Sequence, residues 1–128
     1  MVVVTSAPAN FQRRQAIRES WAKDQEDSDT EVLFLLGKQQ DAIQQAHIFY
    51  ESLQNGDIIQ EDFEDAYHNL SVKSMMMLKW FLRTEDVLGM KPNYLLKTDD
   101  DMYINLQNLV RVVARNKGKL LLTGCMCC

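Results

Sequence analysis

Three consecutive acidic residues, Asp99, Asp100 and Asp101, follow a short apolar stretch at residues 94–96. Adjacent carboxylates repel one another by about a few kcal/mol per close pair at an intermediate dielectric. A bound cation would relieve this repulsion, and oxygen ligands of this kind favour Mg²⁺ or Mn²⁺. Residues two apart in an extended segment face the same side, so Asp99 and Asp101 are the predicted metal ligands and Asp100 points away. An exposed acidic turn is the alternative, which these residues alone leave open.

Three arginines near the start of the chain could bind a diphosphate by balancing its negative charge. Arg14 and Arg18 are four residues apart, so on a helix they share a face that borders Ile17 and Trp21, and Arg13 lies beside them. A solvated basic face paired with nearby acids is the alternative interpretation.

A third polar cluster lies between a predicted strand and a predicted helix. It consists of Glu61, Asp62, Glu64, Asp65, Tyr67, Asn69 and Lys73. Acids near a helix N-terminus ordinarily complement the helix dipole, so this cluster by itself says little about function.

The elements that must position these side chains alternate between short apolar runs and stretches of helical period. The predicted strands are residues 2–4, 31–36, 57–60, 94–96 and 119–123, and the predicted helices are residues 10–21, 40–53, 69–87 and 106–116. This alternation predicts an α/β fold with a mostly parallel sheet and crossover helices. The helix at 69–87 is apolar around most of its circumference and is therefore predicted to be buried.

Ligands of such sheets bind at the carboxyl ends of the strands. We therefore expect the strand ends near residues 5, 60 and 96 to lie on one side, with Arg18 and Asp101 facing the same cleft.

Composition limits the possible functions. The 14 basic and 18 acidic residues among 128 give a net charge of −4, which argues against binding nucleic acid or an anionic membrane through bulk charge. No apolar run approaches the ~18 residues of a membrane-spanning helix. All three cysteines, Cys125, Cys127 and Cys128, are in the last four residues, too close together for a disulfide framework within the chain. We interpret the sequence as one α/β domain cut at both ends.

Three motifs occur in a familiar order: residues 13–21 (RRQAIRESW), residues 56–63 with 65–73 (GDIIQEDF and DAYHNLSVK), and residues 94–105 (YLLKTDDDMYIN). Together they closely resemble the β-1,3-galactosyltransferase family, which includes β-1,3-N-acetylglucosaminyltransferases and is known as glycosyltransferase family 31. The resemblance covers nearly the whole chain.

The resemblance implies a Rossmann-like domain of the GT-A type that holds a UDP-sugar and Mn²⁺ or Mg²⁺. Such a domain transfers the sugar, with inversion, to the 3-hydroxyl of an acceptor glycan on a glycoprotein or glycolipid. Asp99 to Asp101 match the DxD motif, with Asp101 as the direct metal ligand and Asp99 toward the ribose or the metal. The predicted nucleotide-sugar-binding residues are Arg14, Arg18, Asp65, Lys73, Lys97, Asp99 and Asp100.

Members of this family are single-span proteins of the Golgi membrane with luminal catalytic domains. The membrane anchor is not in this sequence, and the catalytic base is expected beyond Cys128. We therefore expect the chain to bind a donor at best and to transfer no sugar alone. Two alternatives stay open: a non-catalytic product of the same family that associates with a partner, and a Mg²⁺-dependent phosphotransferase or phosphatase.

Overall fold

A four-stranded parallel sheet forms the centre of the computed structural model, which describes residues 1–25, 30–65, 70–89 and 91–117. The strand order is β3-β2-β1-β4. The strands are β1 (Val2–Thr5), β2 (Val32–Lys38), β3 (Ile58–Glu64) and β4 (Leu96–Asp99). The predicted strand at 119–123 and the three cysteines lie outside the described residues.

Helices connect each strand to the next. They are α1 (Phe11–Glu19), α2 (Ala42–Asn55), α3 (Leu70–Leu82), α4 (Thr84–Leu88) and α5 (Leu106–Arg115), with a 3₁₀ helix at Trp21–Gln25 directly after α1. The predicted α/β fold with a parallel sheet and crossover helices is confirmed. Within the described ranges, no helix is long and apolar enough to cross a membrane.

The sheet is covered on both faces, as its apolar strands predict. In β1, Val2 and Val4 belong to the core cluster that contains Ile17 of α1, whereas Val3 belongs to a second cluster that contains Met77 of α3. This alternation follows from the two-residue period of a strand. Helices α1, α2 and α5 therefore pack on one face of the sheet, and α3 packs on the other.

The prediction of one buried helix at residues 69–87 is wrong. The helix is interrupted at Arg83, where α3 gives way to α4. Met75 is 70% exposed and Leu82 is 80% exposed, while Met77 and Lys73 are buried. The reason is geometric: α3 contacts the sheet along one stripe only, so the apolar residues on the rest of its circumference have no neighbour among the described elements.

Helix α2 buries only a narrow face, and most of its large apolar side chains lie outside that face. Its buried residues are Ile48 and Glu51, and its apolar positions Phe49, Tyr50 and Leu53 are more than half exposed. Two arginines of α1 hold the Glu51 carboxylate inside, which fixes the rotation of the helix. The helix extends to Asn55, two residues beyond the predicted range, and stops at Gly56, which has a left-handed conformation with φ of 68°.

Gly37 in β2 lies where the backbone of the neighbouring strand comes very close. A methyl group at this position would lie 2.6 Å from the carbonyl oxygen of Phe63 and 2.9 Å from Cβ of Asp65. Pairing between β2 and β3 also shifts register directly after Gly37. The glycine therefore permits the approach that brings Asp65 to the end of the sheet.

We expect Gly37→Ala to lower the free energy of unfolding by about 1–3 kcal/mol, because the added methyl overpacks a strand contact. Gly56→Ala is a suitable comparison, since a methyl group there would meet no atom within 4 Å and only the positive φ opposes the change. Urea unfolding measures the loss in the free energy of unfolding for each variant relative to the unsubstituted chain. A Gly37→Ala protein as stable as the unsubstituted chain would contradict the close approach.

Candidate functional site

The three consecutive acids lie at the carboxyl end of the sheet. Strand β4 runs to Asp99, so the first acid belongs to the strand and pairs in register with Thr5 of β1. This corrects the predicted strand at 94–96, because β4 follows β1 and extends as far as β1 does. The side chain of Asp99 is 63% exposed and accepts a hydrogen bond from Oγ1 of Thr5. Nζ of Lys97 is 3.6 Å from Oδ1 of the same carboxylate.

Asp100 is buried, unlike its two exposed neighbours. Its carboxylate accepts hydrogen bonds from Oγ of Ser6 at 2.7 Å, Nδ2 of Asn10 at 2.8 Å and the guanidinium of Arg13 at 3.0 Å. Burial alone would raise the pKa of Asp100, but these three donors and the positive charge of Arg13 outweigh it and lower the pKa. Asp101 is exposed. The exposure of the three acids alternates as predicted, but Asp100 and Asp101 lie in a turn after β4 and not in an extended segment, so a common direction of Asp99 and Asp101 stays a prediction.

Ser6 connects this acidic turn to the rest of the site. While its hydroxyl donates to Asp100, it accepts a hydrogen bond from Arg14 at 3.0 Å. Its backbone carbonyl accepts a hydrogen bond from Nζ of Lys73 at 2.7 Å. One residue directly after β1 thus fixes the acidic turn to both neighbouring ion pairs.

Asp65 and Lys73 form one of those ion pairs. Nζ of Lys73 lies 2.9 and 2.8 Å from the two carboxylate oxygens of Asp65, and the backbone N–H of Gly37 donates to the same carboxylate at 3.0 Å. The three N–H groups of Lys73 are matched by these two oxygens and the carbonyl of Ser6. The structure therefore brings both predicted residues to the carboxyl end of the sheet, but as a buried ion pair that connects structural elements. We call this pair the brace.

Arg14 is wholly buried and forms the other ion pair. Its five N–H groups donate to both carboxylate oxygens of Glu51, to the hydroxyl of Ser6 and to the carbonyls of Ala7 and Pro8. Because a guanidinium has five donors, none is left for a ligand. The predicted contact of Arg14 with a nucleotide-sugar is not supported.

Arg18 lies on the wrong side of α1 for the predicted cleft. It donates to both oxygens of Asp57 at 2.7 and 2.8 Å and contacts Glu51 at 2.8 Å. Its cavity of about 390 Å³ includes Phe34 and Asp57, whereas Asp101 borders a separate groove of about 280 Å³. The expectation that Arg18 and Asp101 face one cleft is wrong, because Glu51 of α2 and Asp57, directly before β3, hold the arginine on the opposite flank of α1.

Comparison of the sequence with known protein families identifies the family of this chain. A family model described as Galactosyltransferase matches residues 12–127. The chain belongs to the galactosyltransferase family. The acidic turn and its brace lie within the matched residues.

Curated relatives of this galactosyltransferase domain agree with that assignment. The chain is 36% identical to beta-1,3-galactosyltransferase 1 of Mus musculus and of Homo sapiens over 112 residues, which is 86% of the chain and 33% of each relative. It is 39% identical to UDP-GalNAc:beta-1,3-N-acetylgalactosaminyltransferase 1 of Sus scrofa over 132 aligned positions, 97% of the chain and 38% of the relative. The chain thus spans about a third of the length of these relatives.

Two carboxylates of this galactosyltransferase domain could bind a divalent cation if a bound ligand supplied further oxygen atoms. Asp99 and Asp101 offer exposed carboxylate oxygens at the end of β4. Across the described ranges, no group of three or more acidic, histidine or cysteine side chains is placed to enclose a metal ion. Mg²⁺ is commonly bound by one or two carboxylates together with substrate phosphates and water, and two acids fit that arrangement.

Sequence reasoning missed the residues that support the acidic turn. Thr5 and Ser6 end an apolar strand and give no separate signal. Glu51 gave no local signal either, because its partner Arg14 is 37 residues earlier in the chain.

Proposed function

We propose that this chain supplies the donor- and metal-binding part of an inverting β-1,3-glycosyltransferase. The substrate class is a UDP-sugar, with galactose or N-acetylglucosamine as the transferred hexose. The acceptor is the 3-hydroxyl of a glycan on a glycoprotein or glycolipid. The named relatives differ in their donor, one being a galactosyltransferase and another using UDP-GalNAc, so family membership leaves the sugar open.

The main support for this proposal is that the three acids of the turn differ in burial and in hydrogen bonding. Asp100 is held by three hydrogen bonds, which leaves Asp99 and Asp101 exposed at the carboxyl end of β4. Ligands of open parallel sheets bind at this end. Family membership adds the second, independent support.

The residues of the turn have distinct roles in this proposal. Asp99 and Asp101 hold Mn²⁺ or Mg²⁺, and Thr5 orients the Asp99 carboxylate through its hydroxyl. When bound, the cation supplies positive charge that stabilises the UDP leaving group. Lys97 has an exposed ammonium beside Asp99 and is retained as a nucleotide contact.

Inverting transfer also needs a carboxylate that takes a proton from the attacking hydroxyl. We assign this base to none of the described residues, since the exposed acids of the turn hold the cation in this proposal. By family resemblance, the proposed place of action is the Golgi lumen.

Calorimetric titration of the chain with UDP, UDP-galactose, UDP-N-acetylglucosamine and a phosphate ester, each with and without Mn²⁺, tests the proposal. We expect UDP and at least one UDP-sugar to bind only when the metal is present. Hydrolysis of the phosphate ester would instead favour a phosphotransferase. Equal affinity for UDP with and without Mn²⁺ would contradict the metal assignment.

A further inference from the structure

Of the three arginines of α1, only Arg13 is available to a ligand at the acidic turn. Arg14 uses all its donors internally, and Arg18 lies on the opposite flank of the helix. The Arg13 side chain is 55% exposed. It borders the same groove of about 280 Å³ as Asp101.

One contact holds Arg13 at that position. Its NH1 nitrogen donates to Oδ1 of Asp100 at 3.0 Å, while Oδ2 of Asp100 accepts from Ser6 and Asn10. The buried carboxylate is thereby fixed from three sides and cannot follow the arginine. No further acceptor within the described residues contacts the Arg13 guanidinium, so the remaining N–H groups face the groove or solvent.

We propose that Arg13 is the residue of α1 that binds the diphosphate of the donor, and that Asp100 is its positioning residue. This inference rests on the proposed function. A guanidinium presents its donors as a rigid fork that matches phosphate oxygens, and a charge-assisted bond of this kind is stronger than a neutral one. The middle acid of the turn thus acts through Arg13, while Asp99 and Asp101 act on the cation.

The geometry explains why an acid at position 100 does not repel the diphosphate. The negative charge of Asp100 is buried and matched by the positive charge of Arg13. The outer half of the guanidinium stays exposed and presents N–H donors. Phosphate oxygens approaching the groove therefore meet an exposed guanidinium, while the Asp100 carboxylate that also borders the groove is mostly buried and already bonded to Ser6, Asn10 and Arg13.

Binding of UDP and of uridine, both with saturating Mn²⁺, to the unsubstituted chain and to Arg13→Gln tests the inference. We expect Arg13→Gln to weaken UDP binding about tenfold, the loss of one charge-assisted contact, and to leave uridine binding unchanged. Arg111→Gln is the matched control, because Arg111 is an exposed arginine of α5 that does not border the groove. It is expected to change neither affinity.

Each other outcome has a definite meaning. Unchanged UDP affinity in Arg13→Gln, or an equal loss for UDP and uridine, would overturn the inference while the proposed function stands. Failure of the unsubstituted chain to bind UDP with Mn²⁺ would overturn both. If Arg13→Gln does not fold, Arg13→Lys decides, since lysine keeps the charge beside Asp100 but lacks the fork; a smaller loss confined to UDP is then expected.

Discussion

Replacing Glu51 with glutamine is expected to lower the free energy of unfolding by about 3–5 kcal/mol, the usual cost of removing one partner from a buried ion pair. The Glu51 side chain is 4% exposed and joins Arg14, which is 1% exposed, to Arg18. Glutamine would leave a buried guanidinium without its balancing charge. The same network sets the rotation of α2 and holds Arg14 against Ser6.

Urea unfolding measures this loss, with Glu19→Gln as the matched control. Glu19 is exposed and hydrogen-bonded only to Gln15 among the contacts described, so its replacement is expected to change stability by less than about 0.5 kcal/mol. Equal stabilities of the two variants would contradict a structural role for Glu51.

The destabilisation should also depend on pH. Burial alone would raise the pKa of Glu51, but hydrogen bonds and charge from Arg14 and Arg18 lower it below its ordinary value of 4.5. Above that value the carboxylate is charged in both states and its stabilisation is complete. As pH falls through and below 4.5, the unfolded chain takes up the proton first, and stability is lost until the folded group is protonated too. The difference in the free energy of unfolding between the unsubstituted chain and Glu51→Gln should therefore be constant above about pH 5 and narrow as the pH falls below 4.5.

Asp101→Asn is expected to weaken Mn²⁺-dependent binding of UDP by at least about 100-fold. Mutation of residues that merely support metal ligands often costs 10–100-fold in affinity, so loss of a direct ligand should cost at least the upper end of that range. Asp101 is exposed, so the fold should keep its stability to within about 0.5 kcal/mol. Calorimetry with UDP and Mn²⁺ measures the affinity.

Asp86→Asn is the matched control for that experiment. Asp86 is an exposed acid in the first turn of α4, outside the acidic turn. Its replacement removes the same charge from the surface and is expected to leave UDP affinity unchanged. A similar loss in both variants would show that overall charge, and not a ligand at position 101, governs binding.

The parallel sheet could be predicted from sequence because β1, β2 and the start of β3 are short apolar runs that alternate with helical stretches, although β4 itself is mostly polar. The burial of Asp100 between two exposed acids was also expected, but its cause in the structure is the set of donors from Ser6, Asn10 and Arg13 and not an extended chain, because Asp100 and Asp101 lie in a turn. The burial of α3 could not, because a helix apolar on all sides does not specify which side meets the sheet.

The ion-pair partners of Arg14 and Arg18 could not be predicted from sequence, for a different reason. Arg14 and Arg18 are close to the acidic turn only if nothing else attracts them, and their partners Glu51 and Asp57 are 37 and 39 residues further along the chain. A long-range ion pair leaves no local pattern. Arg13, one residue from Arg14, differs only in the side of α1 on which it lies.

In the proposed site, the exposed acids of the turn hold a divalent cation together with UDP. Electron paramagnetic resonance of Mn²⁺, recorded with the unsubstituted chain and with Asp101→Asn in the presence and absence of UDP, tests it most directly. We expect the signal of free Mn²⁺ to fall when UDP is added to the unsubstituted chain and to fall no further than with UDP alone in Asp101→Asn. An equal fall with both proteins would contradict the claim.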